Sequence, residues 1–569
     1  MEPSNVEYEE AGTSASEFDE LDIKQAVQFG DLSKVKHLVE SGLATINDTD
    51  ADDCSLLHWA AINNRMEVAK YLIDNNCSIN HVGGVLGCTP LHWACRQGHT
   101  RMVALLVKHN ADYNKSDGEG FTALHTACQA GRTPIACYLI AKGQSPDVRD
   151  NSGMTPLMYA AIRTVGRDPM QMLVTMGADI NAVDSVFGHT ALHFAVIHGN
   201  HTAIMNLIRL KADISITNKA NETPLDIAQR KHDYLSMRLL ENAEREVGIR
   251  RYTWKQRYED RNVRNQIASI LPALFFVVPG IIMTSKFDIT FKFFSIFLVY
   301  GLLGFLTKKL VLGQSTTGFT FGFAVFAKAF FFLVWLIHLH QSAGWYLQII
   351  FFVILVLLPY LYYLLRVRDP GTIVVNHANR CRQVVDMTEG DYFSGNFCST
   401  CLIVRPLRSK HCRVCDKCIK RFDHHCVWLD KCIGLENHRL FFGYLVTLFI
   451  SAIVMITGCV SFFSQNCGGL TFQTFASCQL WVSYTLVLAV IIFFWLCVLL
   501  FMQCSGIAHA MTTNERLNAY RYEHLTPNCN DQESSNSLLR DYVLNFYYFF
   551  FDDEIPMPNT QKKHKFPIV

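Results

Sequence analysis

A six-residue phrase returns along the front of the chain at a nearly fixed interval, and this rhythm restricts the fold more than any other feature. It reads Ser55-Leu-Leu-His58-Trp59-Ala60, Thr89-Pro-Leu-His92-Trp93-Ala94, Thr122-Ala-Leu-His125-Thr-Ala127 and Thr155-Pro-Leu-Met-Tyr-Ala160. It returns as Thr190-Ala-Leu-His193-Phe-Ala195 and Thr223-Pro-Leu-Asp-Ile-Ala228, in steps of 33 to 35 residues. A weaker unit from Ala26 to Gly42 precedes these, giving about seven units over residues 21–248. A unit of this length makes two short helices that cannot bury their apolar sides alone. Neighbours therefore stack into a curved solenoid with a concave surface. The Thr of each phrase is expected to cap the first helix, and the His to tie adjacent turns. Trp59 and Trp93 fit two readings equally, as core or as anchors for a bound partner.

The period and the Thr-Pro-Leu-His-x-Ala theme resemble the ankyrin repeat. Behind the array the composition changes. Residues 1–266 read as soluble, with an acidic, polar start from Met1 to Glu20 that lacks the apolar centre of a secretory leader. The front is therefore expected to stay in the cytosol, with residues 1–20 and 526–540 disordered by composition and 249–266 as a linker. Net charge is +1, so electrostatics gives no case for nucleic acid as a partner.

Six apolar segments follow, near 267–283, 289–306, 319–337, 345–365, 441–463 and 481–503. Each approaches the roughly 20 residues a bilayer span needs. Lys328 inside the third should snorkel or face protein. The connection after the second segment carries Lys308 and Lys309, and the stretch between the fourth and fifth carries Arg366, Arg368, Arg380 and Arg382. The connections 338–344 and 464–480 hold no Lys or Arg. The basic side is expected to be cytosolic, which places both termini and the 366–440 insert there, although Lys286 mildly opposes this. Cys467 and Cys478, on the opposite side, are free to pair or to stay reduced.

The insert is dense in soft ligands. Between Cys398 and Cys432 stand seven cysteines and three histidines: Cys398 and Cys401, then His411-Cys412, Cys415 and Cys418, then Asp423-His424-His425-Cys426, then Cys432. In a reducing compartment such spacing argues for metal or catalysis over disulfides. Two tetrahedral zinc ions need eight ligands, so two groups are surplus. A spared cysteine beside a spared histidine is how a nucleophile–base pair would look, with Cys426 next to Asp423 as the best candidate. Spacing alone leaves this reading level with a purely structural double zinc knuckle.

These residues, with the repeats in front of them, resemble the DHHC-type protein S-acyltransferases (palmitoyltransferases), in their ankyrin-bearing, huntingtin-interacting branch. The run Cys-x2-Cys-x9-His-Cys-x2-Cys-x2-Cys-x4-Asp-His-His-Cys-x5-Cys matches without a gap. The resemblance implies a mostly all-α chain: an ankyrin solenoid, then a six-helix transmembrane domain (spans 1–4 within 267–365, spans 5–6 within 441–503) with a cytosolic double-zinc insert and a tail at 504–569. It implies two structural zinc ions, one on Cys398, Cys401, His411 and Cys418, the other on Cys412, Cys415, His425 and Cys432. Cys426 would take the fatty acyl group of acyl-coenzyme A (palmitoyl-CoA) as a thioester, with His424 as base and Asp423 orienting it. A cysteine of a substrate protein would then receive the chain. Asp369-Pro370-Gly371, Thr512-Thr513-Asn514-Glu515 and Asn545 resemble the family's supporting motifs. Asn63 and Trp93 match, by position, the groove residues with which this branch binds short linear motifs. Golgi membrane, or cytoplasmic vesicles, is the expected location.

Departures from the family pattern are Val427 in place of proline and Asp430-Lys431 before the last cysteine, from which slower turnover is expected. The rival readings are a catalytically inert, zinc-stabilised ankyrin scaffold in the membrane, and a cation channel. The channel fits poorly, because 464–480 lacks a charged or filter-like ring. The aromatic runs Phe330-Phe331-Phe332, Phe351-Phe352 and Phe493-Phe494-Trp495 either wall an acyl cavity or face lipid.

Overall fold

The structure is a computed structural model, and it describes residues 22–162, 169–249, 261–286, 288–311, 317–390, 397–521 and 535–551. The expected disordered start at 1–20, most of the 249–266 linker and the 526–534 part of a stretch expected to be disordered lie outside the described residues. Residues 535–540 of that stretch open a helix.

Two compact units emerge. The first joins the front of the chain, through residue 251, with a later stretch, 375–404; the second holds 252–374 and 405–569. The expected insert at 366–440 is thus divided between them.

Among the described residues of the first unit seven helix pairs follow one another. They are α1 (Ile23–Phe29) with α2 (Leu32–Glu40), α3 (Leu56–Ile62) with α4 (Met66–Asp74), and α5 (Pro90–Gln97) with α6 (Thr100–Lys108). Next come α7 (Ala123–Gln129) with α8 (Thr133–Ala141), α9 (Pro156–Ile162) with α10 (Met170–Thr175), α11 (Ala191–Ile197) with α12 (His201–Arg209), and α13 (Pro224–Arg230) with α14 (Tyr234–Val247). The repeated phrase explains each start. Thr89 caps α5 in a reciprocal box, its backbone N–H donating to His92 Nδ1 at 3.3 Å while its Oγ1 accepts from the His92 N–H at 3.5 Å. The other ring nitrogen of His92 donates to the carbonyl of Phe121, 2.9 Å away and one repeat further on. His58 reaches Cys88, His125 reaches Met154 and His193 reaches Glu222 in the same way. Each of these histidines is fully buried, so the repeat histidines are structural ties.

The later stretch of this unit begins with a helix, His377–Glu389, laid against the second helices of the middle repeats. Val384 is buried there, and Glu389 accepts from the Tyr138 hydroxyl at 2.7 Å and from Lys142 at 3.0 Å. Arg380 donates to the Thr175 carbonyl at 3.1 Å. A short hairpin, β1 (Phe397–Cys398) and β2 (Ile403–Val404), closes the stretch.

The second unit is built on apolar helices. They are α15 (Arg261–Thr284), α16 (Ile289–Val311), α17 (Thr317–Val334, prolonged by a π turn at Trp335–Leu339) and α18 (Trp345–Val367). With the helix His377–Glu389 as α19, there follow α20 (His438–Asn466), α21 (Phe472–Ser477), α22 (Leu480–Ala508), α23 (Thr513–Leu517) and α24 (Ser535–Phe551). Among the described residues four stretches are long and apolar enough to cross a membrane: Phe319–Leu339, Trp345–Val367, His438–Asn466 and Leu480–Ala508. Gln266–Ile282 and Phe294–Phe305 are shorter apolar stretches. A disulfide joins Cys467 to Cys478 between α20 and α22. Lys328 turns inward, with its ammonium 4.5 Å from the Tyr362 ring centroid and 5.3 Å from that of Tyr444. It faces protein, as a charge at that depth should.

Candidate active site

Three hairpins present the cysteine-rich segment: β1–β2, β3 (Lys410–Cys412) with β4 (Lys417–Ile419), and β5 (His424–Cys426) with β6 (Lys431–Ile433). The second and third pairings set ligands side by side: His411 opposite Cys418, and His425 opposite Cys432. Tight turns are needed to aim two thiolates at one point. Leu402, Asp416 and Asp430 supply them with positive φ values of 56°, 52° and 51°. Asp430 is therefore the turn residue of the β5–β6 hairpin, and its carboxylate lies 3.9 Å from Nε2 of His425.

Two groups of four ligand atoms result, each with its members within 4.8 Å of one another: Cys398, Cys401, His411, Cys418, and Cys412, Cys415, His425, Cys432. In the second, Nδ1 of His425 stands 3.8, 3.5 and 3.7 Å from the sulfurs of Cys412, Cys415 and Cys432. Three sulfurs and one imidazole converging at such spacing fit tetrahedral zinc. These are two metal-binding sites of structural character, since each has its four ligands and no open position.

Cys426 and His424 belong to neither group. Asp423 is buried, and its Oδ2 lies 2.7 Å from Nδ1 of His424. Thr513 donates to Asp423 twice, from its backbone N–H at 2.6 Å and its hydroxyl at 3.0 Å. Burial alone would raise the Asp423 pKa. The bond to His424 and the Thr513 donors outweigh it and hold the carboxyl well below the usual range. Burial lowers the His424 pKa, yet the Asp423 and Cys426 side chains win and push it up to about 9. The imidazole is thus a stronger proton acceptor than an ordinary histidine, fixed on one side and facing Cys426 on the other.

The residues that resemble the family's supporting motifs lie within the second unit, and of them Thr513 bonds Asp423 directly. Asp369 closes its own turn, accepting from the Gly371 N–H at 2.8 Å, with Gly371 at φ +97°. The Gly371 carbonyl then takes the Lys420 N–H at 2.9 Å, and Pro370 takes that of Glu436 at 3.5 Å. Thr512 caps α23 in a box with Glu515, and Glu515 receives a two-pronged bond from Arg408 at 2.7 and 2.8 Å. Burial raises the Glu515 pKa and Arg408 brings it down overall. Asn545 donates to the Ala508 carbonyl at 2.6 Å, fastening α24 to the end of α22.

A cavity of about 600 Å³ opens at the thiol. Its wall includes Cys426, His424, Phe441 and Tyr444 at one end and Phe332, Phe351 and Met455 further along. From Phe441 to Met455 the helix α20 rises about 21 Å, the reach of a long hydrocarbon chain. The aromatic runs divide between both expected roles. Phe331, Phe332, Phe351 and Trp495 line the cavity, whereas Phe352 and Phe494 are exposed on the outer surface. In place of the expected proline, Val427 offers its carbonyl to the Thr320 hydroxyl at 2.8 Å, and this bond holds the backbone next to the thiol.

Three contributors escaped the sequence reading. Gln503 stands 2.8 Å from His438 and 3.4 Å from Asp423, and Arg408 latches Glu515. A polar residue near the end of an apolar span was the available signal for Gln503. Asn63 and Trp93 occupy the first helices of neighbouring repeats. Asn63 ends α3, donating to the Trp59 carbonyl at 2.9 Å, and Trp93 is half-buried with Arg96 over its ring at 5.3 Å.

Comparison with known proteins decides the family. Residues 391–520 match the DHHC palmitoyltransferase model, and ankyrin repeats match at 23–117, 113–184 and 166–250. The human palmitoyltransferase ZDHHC17 is 35% identical over 94% of this chain and 87% of its own length. The chain belongs to the DHHC palmitoyltransferases. Palmitoyltransferase Hip14 of Drosophila melanogaster is 34% identical over 89% of this chain and 82% of its own. Human ZDHHC13 is 33% identical over 87% and 81%. These relatives place this DHHC enzyme in the ankyrin-bearing, huntingtin-interacting branch, and family membership makes it a protein S-acyltransferase.

Proposed function

We propose that this S-acyltransferase works by double displacement through Cys426. The observation that carries the reading is a thiol at the head of a long apolar cavity, beside an imidazole whose far nitrogen is held by a buried carboxylate. Sγ of Cys426 attacks the thioester carbonyl of acyl-coenzyme A. The proton shared by the pair rests on His424, whose pKa is raised, and passes from there to the departing coenzyme A sulfur. A substrate cysteine next attacks the Cys426 thioester, gives its proton to His424, and Cys426 leaves with it. The cavity wall receives the acyl chain, each methylene contributing about 0.8 kcal/mol on leaving water. The eight Cys and His ligands hold two zinc ions that fold the hairpins and so fix the distance between His424 and Cys426; no step passes through the metal.

The finer assignments belong to the same proposal. Asn63 and Trp93 form the groove that captures short linear motifs of substrate proteins. The six apolar helices all span, with both termini cytosolic and the Cys467–Cys478 disulfide on the opposite, oxidising side. The Golgi membrane is the proposed location.

Cys426→Ser tests the chemistry. On purified protein incubated with palmitoyl-coenzyme A, the wild type takes up one hydroxylamine-sensitive acyl group per chain and carries two zinc ions. The variant takes up none and keeps both zinc ions. Acyl uptake by the variant, or none by zinc-replete wild type, refutes the assignment.

A further inference from the structure

A second cavity, of about 460 Å³, lies between the ends of α18 and α20 that adjoin the cysteine-rich segment. It is separate from the acyl cavity. On a helix of 3.6 residues per turn, Arg439 and Gly443 stand about 160–200° around α20 from the cavity-lining Phe441. Its polar wall is Arg368, Glu436 and Arg439, and Leu361, Leu440 and Gly443 continue it along the apolar helices. A Cβ added at Gly443 would meet nothing within 4 Å, so the groove is open there.

Two of these three residues are anchored by other parts of the fold. The Glu436 N–H donates to Pro370 of the Asp369 turn at 3.5 Å, and Nε of Arg439 donates to the Phe549 carbonyl at 2.6 Å. Arg368 and Glu436 approach to 4.0 Å, beyond a hydrogen bond, and both are about half exposed, at 55% and 50%. Two guanidiniums with one carboxylate make an unusual recognition set. Guanidinium forks match the oxygens of a phosphate. The carboxylate would repel a bare phosphate but accepts N–H donors from a primary ammonium. The ligand that satisfies all three carries a phosphate and a primary ammonium a few bonds apart, with an apolar tail to follow Leu361 and Leu440. The position supplies the rest, because polar headgroups of a bilayer begin where apolar spans end in Arg.

We propose that this cavity binds the headgroup of an aminophospholipid, phosphatidylethanolamine or phosphatidylserine. The phosphate sits on Arg368 and Arg439 and the ammonium on Glu436. Phosphatidylcholine lacks the N–H donors, and phosphatidylglycerol lacks the cation. The inference depends on α18 and α20 crossing a bilayer, and on nothing about the chemistry at Cys426.

The test uses the full chain reconstituted in nanodiscs of phosphatidylcholine with equal shares of phosphatidylethanolamine, phosphatidylserine and phosphatidylglycerol. Lipid retained after release is identified by native mass spectrometry. The wild type retains an aminophospholipid about tenfold over the other two, the discrimination expected of one charge-assisted hydrogen bond. Arg368→Gln loses that retention with both zinc ions in place. Glu436→Gln still retains lipid but accepts phosphatidylglycerol equally. Equal retention of all four lipids, or no change in Arg368→Gln, overturns the proposal. Displacement of the lipid by soluble glycerophosphoethanolamine also overturns it, by pointing to a soluble phosphate ligand instead.

Discussion

Asp423 is the residue on which the centre turns. It binds the imidazole with one oxygen and two contacts from Thr513 with both, in a buried setting. Asp423→Asn removes the charge that sets the His424 tautomer and proton affinity. We expect initial acyl uptake from palmitoyl-coenzyme A to fall by about 10²–10⁴-fold with zinc per chain unchanged. His424 also writes itself into stability. Its folded pKa of about 9 lies above the ordinary 6.5, so its contribution is complete below pH 6.5 and is lost as pH rises through 9. The gap in melting temperature between wild type and His424→Gln should therefore shrink steadily between pH 6.5 and 9.5. A gap that widens over that range would contradict the Asp423–His424 pairing. The acid, the base and the thiol were legible in the sequence because they are contiguous. Gln503 and His438 were not, since their partner lies dozens of residues away and only folding brings it near.

At the scale of elements, the hairpins could be anticipated from ligand spacing, whereas their support could not. The Thr512–Glu515 segment looks like an ordinary capped turn. In the fold it holds Asp423 through Thr513 and the loop before β3 through Glu515 and Arg408, an ion pair whose side chains are only 2% and 7% exposed. Breaking a buried pair strands a charge, at a cost of about 3–5 kcal/mol. Arg408→Ala is expected to destabilise the second unit by that order, visible as a lower denaturation midpoint, and to reduce acyl uptake with it. A midpoint unchanged from wild type would mean the pair is solvent-screened. The ankyrin helices show the opposite case. Their capping boxes and histidine ties follow from a local phrase, so a repeating sequence announces a repeating structure. Asp430 lies between these extremes. Its charge drew attention in the sequence, but its left-handed backbone is what the hairpin uses.

For the whole molecule, hydropathy and cysteine spacing divide the chain by position, while packing divides it by contact. The helix His377–Glu389 reads as part of the insert between spans, yet its Val384 is buried with the repeat core, and Glu389 bonds Tyr138 and Lys142. No periodicity in thirteen residues could have named a partner some 250 residues upstream. The polypeptide thus enters the repeat body, leaves it, and comes back. A protease site inserted after Gly248 should cut the chain without setting the array adrift. The severed front should co-purify with the remainder in detergent, and Val384→Asp together with Glu389→Ala should let it go. Evolution of such an enzyme could not have added its recruiting arm as a simple pendant. The returning helix fastens the array by packing as well as by the backbone, so that cutting one connection leaves the array still held.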